Sequence, residues 1–347
     1  LPLNKTIKKD ELNDNQIKDY KETNIKKLCC SLEDRTNYKV NYRLLKLVLS
    51  LGFELVKVNQ VLEYEQKPFM KDYIMLNTEL RKKAKTDFEK DFFKLMNNSC
   101  YGKTMENVRN RIEFSLISNE EQLDKLNRLK KITIFDENLV GVHKAKYSVK
   151  LNKPIYMGQN ILDDSKVLMN DFHYNFMMKK IKPENLDLLF TDTDSLAYEI
   201  RNQDIYKIMK DNKDEFDLSN FKNDMYDESN KKVIGKFKDE SAESPITEFV
   251  GHKSKVYSYL TDNDYNSKKN KGIKKCVMDK FITHQDYKDC LFNKEDKYIT
   301  QNTFRSYKHT IYTIKQKKKA LCYTDDKVYI CDDNIHTYSH GHYKNKK

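Results

Sequence analysis

The sequence has no tryptophan, only 8 glycines and 5 prolines, and no apolar run near the length of a bilayer. So little Gly and Pro excludes collagen-like and Gly/Pro-rich low-complexity chains. Without a run of about 18 apolar residues, no membrane-spanning helix is expected, and no membrane partner. No basic segment followed by an apolar stretch opens the sequence, so no secretory leader is expected. Seven cysteines are scattered without one Cys-x-x-Cys pair, which argues against a secreted disulfide framework and for a reducing, intracellular setting. The chain opens on Leu1-Pro2 rather than Met, and it is read as a piece of a longer reading frame.

What is present points to a folded, basic protein. There are 23 Tyr and 17 Phe in 347 residues, too many aromatics for a disordered chain. Lys and Arg number 65 against 53 Asp and Glu, a formal charge of +12. Such a balance suits a polyanion, either nucleic acid or an anionic membrane surface. A lysine-rich solvated face is the plainer alternative, and charge alone does not separate them.

Along the chain, residues 1–36 read as loop and irregular structure. Apolar spacing predicts a helix over Tyr42–Leu51 ended by Gly52, then a strand over Phe53–Leu62, with a break at Pro68. Residues 74–96 read as one amphipathic helix with Leu76, Leu80, Ala84, Phe88, Phe92 and Leu95 on its apolar side, continuing towards Arg109. Its other face carries Arg81, Lys82, Lys83, Lys85 and Lys90. Residues 119–150 alternate short helix and strand signals. A second helix is expected over Lys166–Ile181, stopped by Pro183. Leu186–Ile200 reads as strand, tight polar turn, strand, and Gly251–Leu260 as one short strand. No repeat of 20 to 50 residues is present.

Two features carry chemistry. Thr191-Asp192-Thr193-Asp194-Ser195 sets two carboxylates at i and i+2 between apolar strands. Both cannot face a dry core without partners. At a sheet end they offer hard oxygens to Mg²⁺ or Mn²⁺, as a site that moves phosphoryl groups needs. An Asp-rich turn is the alternative. The second feature is Lys94-Leu95-Met96-Asn97-Asn98-Ser99-Cys100-Tyr101-Gly102. On a helix, Lys94, Asn98 and Tyr101 share a face and present a cation, an amide and a ring to a triphosphate, a sugar and a base. Gly102 leaves room for a backbone or base. Taken alone, a surface lysine beside a packed tyrosine is the favoured explanation.

Together these segments resemble the family B DNA polymerases. Lys-x-x-x-Asn-Ser-x-Tyr-Gly matches their fingers motif B, and Asp192-Thr193-Asp194-Ser195 their palm motif C. The text Phe88–Ser99, Gly102–Arg109, Asp171-Phe172-His173-Tyr174 and Ile335-His336-Thr337 is similar to polymerases of Polinton/Maverick elements and related viruses, in the protein-primed branch. Lys255-Val256-Tyr257 resembles that branch's primer-gripping Lys-x-Tyr, and Lys271-Gly272 the basic element beyond it. The resemblance runs from about residue 20 to 342.

The resemblance implies an α+β right-hand polymerase fold: an antiparallel palm sheet, helical fingers and a thumb. It implies palm-proximal chain over 1–62, fingers with motif B over 63–102, and an insertion between motifs B and C over 103–152. The palm, with motif C and Lys-x-Tyr, would span 153–272, and the thumb with its basic tail 273–347. Asp194 becomes the main metal ligand, with Asp192 beside it. Lys94 binds the triphosphate and is a proton donor to pyrophosphate. Asn98 and Tyr101 line the nascent base pair, and Arg81 or Lys82 adds a phosphate contact. Gly102, Lys255, Tyr257 and Lys271 face DNA. The implied partners are a primer–template, deoxynucleoside triphosphates and a terminal priming protein, with Mg²⁺ or Mn²⁺ as cofactor and replication of a mobile element or virus as setting.

The sequence departs from the family in two places. Motif C usually opens on Tyr, and here stands Phe190. Motif A (Asp-x-x-Ser-Leu-Tyr-Pro) is absent, as is the exonuclease domain. Asp87-Phe88-Glu89 fits the exonuclease pattern only on paper and is read as helix surface. The chain is therefore expected to be a carboxyl-terminal fragment, inactive alone. One alternative is a non-catalytic nucleic-acid-binding remnant. Another is an Asp-x-Asp sugar-nucleotide transferase, which leaves Lys94–Gly102 unexplained. His336, His340 and His342 read as a polar terminal tail rather than a metal site. Lys315, Lys317, Lys318 and Lys319 form a basic run suited to duplex phosphates, or a solvated loop.

Overall fold

A computed structural model describes residues 2–241, 244–308 and 310–345. The amino-terminal segment, expected to be irregular, is structured. β1 (Pro2–Lys5) pairs antiparallel with β2 (Lys27–Cys30), and α1 (Asp14–Asp19) lies between them in the chain. Asn13 and Gln16 cap α1 reciprocally, a local signal the composition of this segment masks. Ile7, Leu12 and Cys29 form a small core beneath.

α2 (Tyr42–Ser50) forms as expected, and Gly52 ends it at φ 95°. The strand expected over Phe53–Leu62 does not form. Val56 there is 95% exposed, and no described strand pairs with the segment. Alternating side chains make a strand only when a neighbour takes the backbone hydrogen bonds.

The single helix expected over 74–96 is two, α3 (Lys71–Lys83) and α4 (Asp87–Thr104). Ala84 is extended at ψ 130°, and Thr86 restarts the helix. Glu89 donates its N–H to Thr86 Oγ1 at 3.2 Å and accepts the Thr86 N–H at 3.1 Å. The break sets the two helical faces independently, so the expected stripe is not a core: Leu76, Phe88 and Leu95 are exposed. Polar groups join the helices instead. Asn97 Nδ2 reaches Ile74 O and Thr78 Oγ1, both at 3.4 Å.

β3 (Glu113–Ile117), α5 (Glu120–Asp124), β4 (Leu129–Asp136) and β5 (Leu139–Lys144) follow, the strands forming an antiparallel sheet with β5 central. α6 (Ile155–Asp171) begins well before the expected Lys166 and runs through a π-helical turn, Phe172–Met177, into α7 (Met178–Lys180). Gly158 lets α6 approach the end of α4. A Cβ there would lie 2.3 Å from Met105 Sδ and 2.7 Å from Thr104 Oγ1. The buried Asp163 carboxylate accepts the Asn41 N–H at 2.8 Å and pairs with Lys166 at 3.0 Å, tying α6 to the start of α2.

β6 (Leu186–Asp192) and β7 (Ser195–Ile200) form the expected hairpin, and α8 (Ile205–Asp211) follows. The one strand expected over Gly251–Leu260 is instead the middle of a longer hairpin. β8 (Ile246–Lys253) reverses at Lys255, which takes φ 63°, into β9 (Val256–Thr261), and β10 (Asn266–Asn270) adds to its far side. α9 (Lys275–Phe281) and α10 (His284–Phe292) pack on this sheet around Val250, Val256, Met278, Ile282, Tyr287 and Leu321. β11 (Lys297–Tyr307) pairs with β12 (Thr310–Leu321), so the Lys315–Lys319 run is strand, not loop. β13 (Tyr329–Ile330) and β14 (Thr337–Tyr338) close the chain.

The histidine-rich end is not a loose tail. His340 is 1% exposed, and its carbonyl accepts the Leu32 N–H at 2.8 Å. His336 binds Asp333, and His342 stacks on Tyr338 at 4.5 Å. The chain is thus α+β, with helices and several small antiparallel sheets. It divides into two compact units. One is Leu1–Tyr38, Tyr174–Thr303 and Lys315–Lys347; the other is Lys39–His173 and Phe304–Ile314. No described helix is long and apolar enough to cross a membrane.

Candidate functional site

The sequence-predicted residues fall on both units. In the first, β6 and β7 turn through Thr193 and Asp194, so Asp192 ends one strand and Asp194 sits in the tip. The turn is tight: Asp194 N–H meets Asp192 O at 2.6 Å, and Ser195 Oγ donates to the same oxygen at 3.2 Å. Thr193 takes φ 56°, an unfavourable left-handed conformation for a β-branched residue.

The two carboxylates have different surroundings. Asp192 is half-buried and accepts a hydrogen bond from Lys255 Nζ, forming an ion pair with it. Asp194 is exposed, and its carboxylate has no hydrogen-bond or ion-pair partner among the described residues. The pairing of Asp192 with Lys255 joins the Asp-x-Asp hairpin to the Lys-x-Tyr segment. Rings join them again behind the turn. Phe190 lies 4.6 Å from the Tyr257 ring, and Phe249 lies 5.7 Å from it. Phe190 thus packs against both rings. Burial chiefly, with Tyr259, Glu240 and Asp192 nearby, pushes the Tyr257 phenol above its ordinary range and keeps it protonated.

Lys271 joins the same end of the sheet. Its N–H donates to Lys255 O at 3.1 Å, so the Lys271-Gly272 segment runs beside the turn. Gly272 takes φ 105°, and its carbonyl accepts Lys318 Nζ at 2.8 Å. The rest of the basic run is partly engaged. Lys319 pairs with Asp296, and Lys317 lies over the Tyr298 ring at 5.3 Å.

In the second unit, Lys94, Asn98 and Tyr101 all lie on α4, one helical face apart by four and three residues. Lys94 and Asn98 are exposed and Tyr101 is half-buried. Their side chains have no polar or ring partner among the described residues. A Cβ on Gly102 would meet nothing within 4 Å, so the protein itself leaves that side of the helix open. Arg81 and Lys82 stand in the last turn of α3, with Lys82 paired to Glu79 at 3.0 Å. Asp87 and Glu89 occupy the first turn of α4, where Glu89 serves the cap, as expected of surface residues. Backbone N–H groups of Thr86 and Lys85 hold the Glu89 carboxyl below its usual range.

Three features were not legible beforehand. Phe249 completes the ring cluster from a strand not expected. Gly251 leaves room for it, since a Cβ there would lie 3.0 Å from the Phe249 ring. The Asp192–Lys255 pair spans 63 residues and has no local signal. Among the described residues, no group of three or more His, Cys, Asp or Glu gathers as a metal site.

The family model described as DNA polymerase type B, organellar and viral, matches residues 3–199, more than half the chain. No curated protein and no solved structure matches the chain.

Proposed function

The chain belongs to the organellar and viral type B DNA polymerases, and on that premise we propose that it carries the fingers, much of the palm and the thumb of a protein-primed enzyme of the mobile-element or viral kind. The observation that supports this most is the meeting of Asp192, Lys255 and Lys271 at one sheet end, with Tyr257 packed on Phe190 behind them. Segments resembling three different family motifs meet at one sheet end, which supports a site that offers a primer end a carboxylate, a cation and a ring.

In this reading Asp194 and Asp192 hold a divalent cation, Mg²⁺ or Mn²⁺. Carboxylate oxygens two residues apart suit such hard ions, and among the described residues Asp194 has no side-chain partner to give up. The bound ion supplies charge neutralisation at the attacking hydroxyl and the leaving pyrophosphate. Lys94 holds the triphosphate and gives a proton to the leaving group, while Asn98 and Tyr101 position the sugar and base. Arg81 or Lys82 adds a phosphate contact. Lys255, Tyr257, Lys271 and the open side of Gly102 face DNA. Positioning and charge, rather than covalent help, carry phosphoryl transfer.

A second proposal concerns autonomy. Among the described residues no third acidic group gathers with Asp192 and Asp194, which favours binding without turnover. The test is primer–template binding and primer extension with Mg²⁺ at 50 and 200 mM salt, for this chain and for Asp194→Asn. Salt-sensitive binding without extension is expected, since each phosphate contact released steepens the salt dependence. Extension abolished by Asp194→Asn overturns the autonomy proposal and supports the site. Extension that survives Asp194→Asn overturns the site. Absence of binding at low salt overturns the DNA reading altogether.

A further inference from the structure

Between Asp296 and Asp325 the sequence contains no acidic residue, yet it holds seven Lys and Arg. This stretch is the β11–β12 pair. Its far end, Phe304–Ile314, belongs to the second unit and is exposed on both strands. Large apolar side chains crowd that end. Tyr307 is 68% exposed and Tyr312 48%, with Ile311 and Phe304 also open to water. Neither tyrosine has a ring or hydrogen-bond partner among the described residues. Arg305 and Lys308 flank Tyr307, and alternation puts Arg305 and Tyr307 on one face of β11.

Water-exposed rings in such number at a strand turn are unfavourable unless something covers them. The charged sequence neighbours of these rings are all cationic, so the occupant is one that benefits from positive charge. A duplex presents phosphates to cations but hides the faces of its bases. An unpaired strand presents both, and bases stack on aromatic side chains without regard to sequence. We infer that the tip of the β11–β12 pair is a docking surface for an unpaired nucleic-acid strand, with Tyr307 and Tyr312 stacking on bases and Arg305 and Lys308 holding phosphates. The inference rests on the polymerase reading only in assuming that the chain works on DNA; it adds a strand-specific contact to it.

The test uses the full chain and fluorescence anisotropy on a labelled oligo(dT) and on a blunt duplex of equal length. Tyr307→Ala/Tyr312→Ala is expected to lose about tenfold or more on oligo(dT) and stay within about twofold on the duplex, the loss expected for stacking on one or two bases. Tyr307→Phe/Tyr312→Phe is expected to keep oligo(dT) binding, because a phenyl ring stacks without the hydroxyl; this separates stacking from misfolding. Equal losses on both DNAs, or no loss, overturn the inference. Loss with the phenylalanine pair as large as with the alanine pair does so too. Anionic vesicles containing phosphatidylserine are the third probe. If the alanine pair loses vesicle binding but not oligo(dT) binding, the tip meets a lipid surface and the inference fails. A chain that binds the duplex while the alanine pair is unaffected sinks this inference alone, whereas a chain that binds neither DNA sinks the polymerase reading.

Discussion

At Asp192 a lysine stands where a cation is wanted. The Lys255 ammonium neutralises one carboxylate of the hairpin, while the exposed Asp194 carboxylate has no partner among the described residues. At the proposed metal site, Lys255 and a divalent ion would compete for the Asp192 oxygens. The pair is partly exposed, so its worth is about 0.2–1 kcal/mol. At the proposed site, Lys255→Met is accordingly expected to tighten Mn²⁺ binding by about 1.4- to fivefold, since 1.4 kcal/mol corresponds to tenfold. Titration calorimetry in the absence of DNA reads this directly, and an unchanged affinity refutes the competition. The same substitution is expected to weaken primer–template binding, because the deleted ammonium no longer meets a phosphate. Asp192 and Asp194 were visible in the sequence because two carboxylates between apolar strands have nowhere dry to go. Their difference was not, because it depends on a side chain 63 residues away.

Helices and hairpins that carry their own boundary signals were legible; those set by a partner were not. α2 begins at an asparagine cap and ends at Gly52, and both are local. β6 and β7 show paired apolar runs around a polar turn, again local. Phe53–Leu62 has a strand's alternation without a strand's partner, and the long-range half decides. Gly251–Leu260 reverses at Lys255 without a glycine or proline to announce it. The break between α3 and α4 did have a signal, Thr86 followed three residues later by Glu89, but a continuous apolar period obscured it. That signal has a measurable weight. Thr86→Ala removes the acceptor for the Glu89 N–H and is expected to cost about 1 kcal/mol of stability. Chemical denaturation checks it, with Thr86→Ser as the control that keeps the cap. A loss confined to far below 0.5 kcal/mol would mean the helix is restarted by packing rather than by its cap.

For the chain as a whole, buried histidines couple stability to pH. His252 on β8 donates from Nε2 to Tyr287 O on α10 at 3.0 Å, the tautomer a carbonyl partner requires. Burial chiefly holds its pKa at about 4, with Lys253 acting in the same direction and the Tyr287 and Cys322 carbonyls and Asp296 opposing. An unfolded histidine takes its proton near 6.5. Between those values the unfolded chain binds more protons than the folded one, so stability is full above about pH 6.5 and falls as the pH drops towards 4. By pH 5 the expected loss from this group is about 2 kcal/mol, one pKa unit being worth about 1.4 kcal/mol. Burial lowers His284 and His173 as well, so they push the same way. Self-repulsion in a chain already at +12 grows as protons are added and adds to the trend. Carboxylates held low by ion pairs, such as Glu248 with Lys288, act mainly below about pH 5, since an ordinary glutamate is half-protonated near 4.5. Denaturation at pH 7, 6 and 5 therefore isolates the histidines. His252→Gln keeps an N–H for the Tyr287 carbonyl but cannot titrate, and it is expected to flatten the slope between pH 6.5 and 5. A slope that stays as steep would place the proton uptake elsewhere and remove His252 as its source.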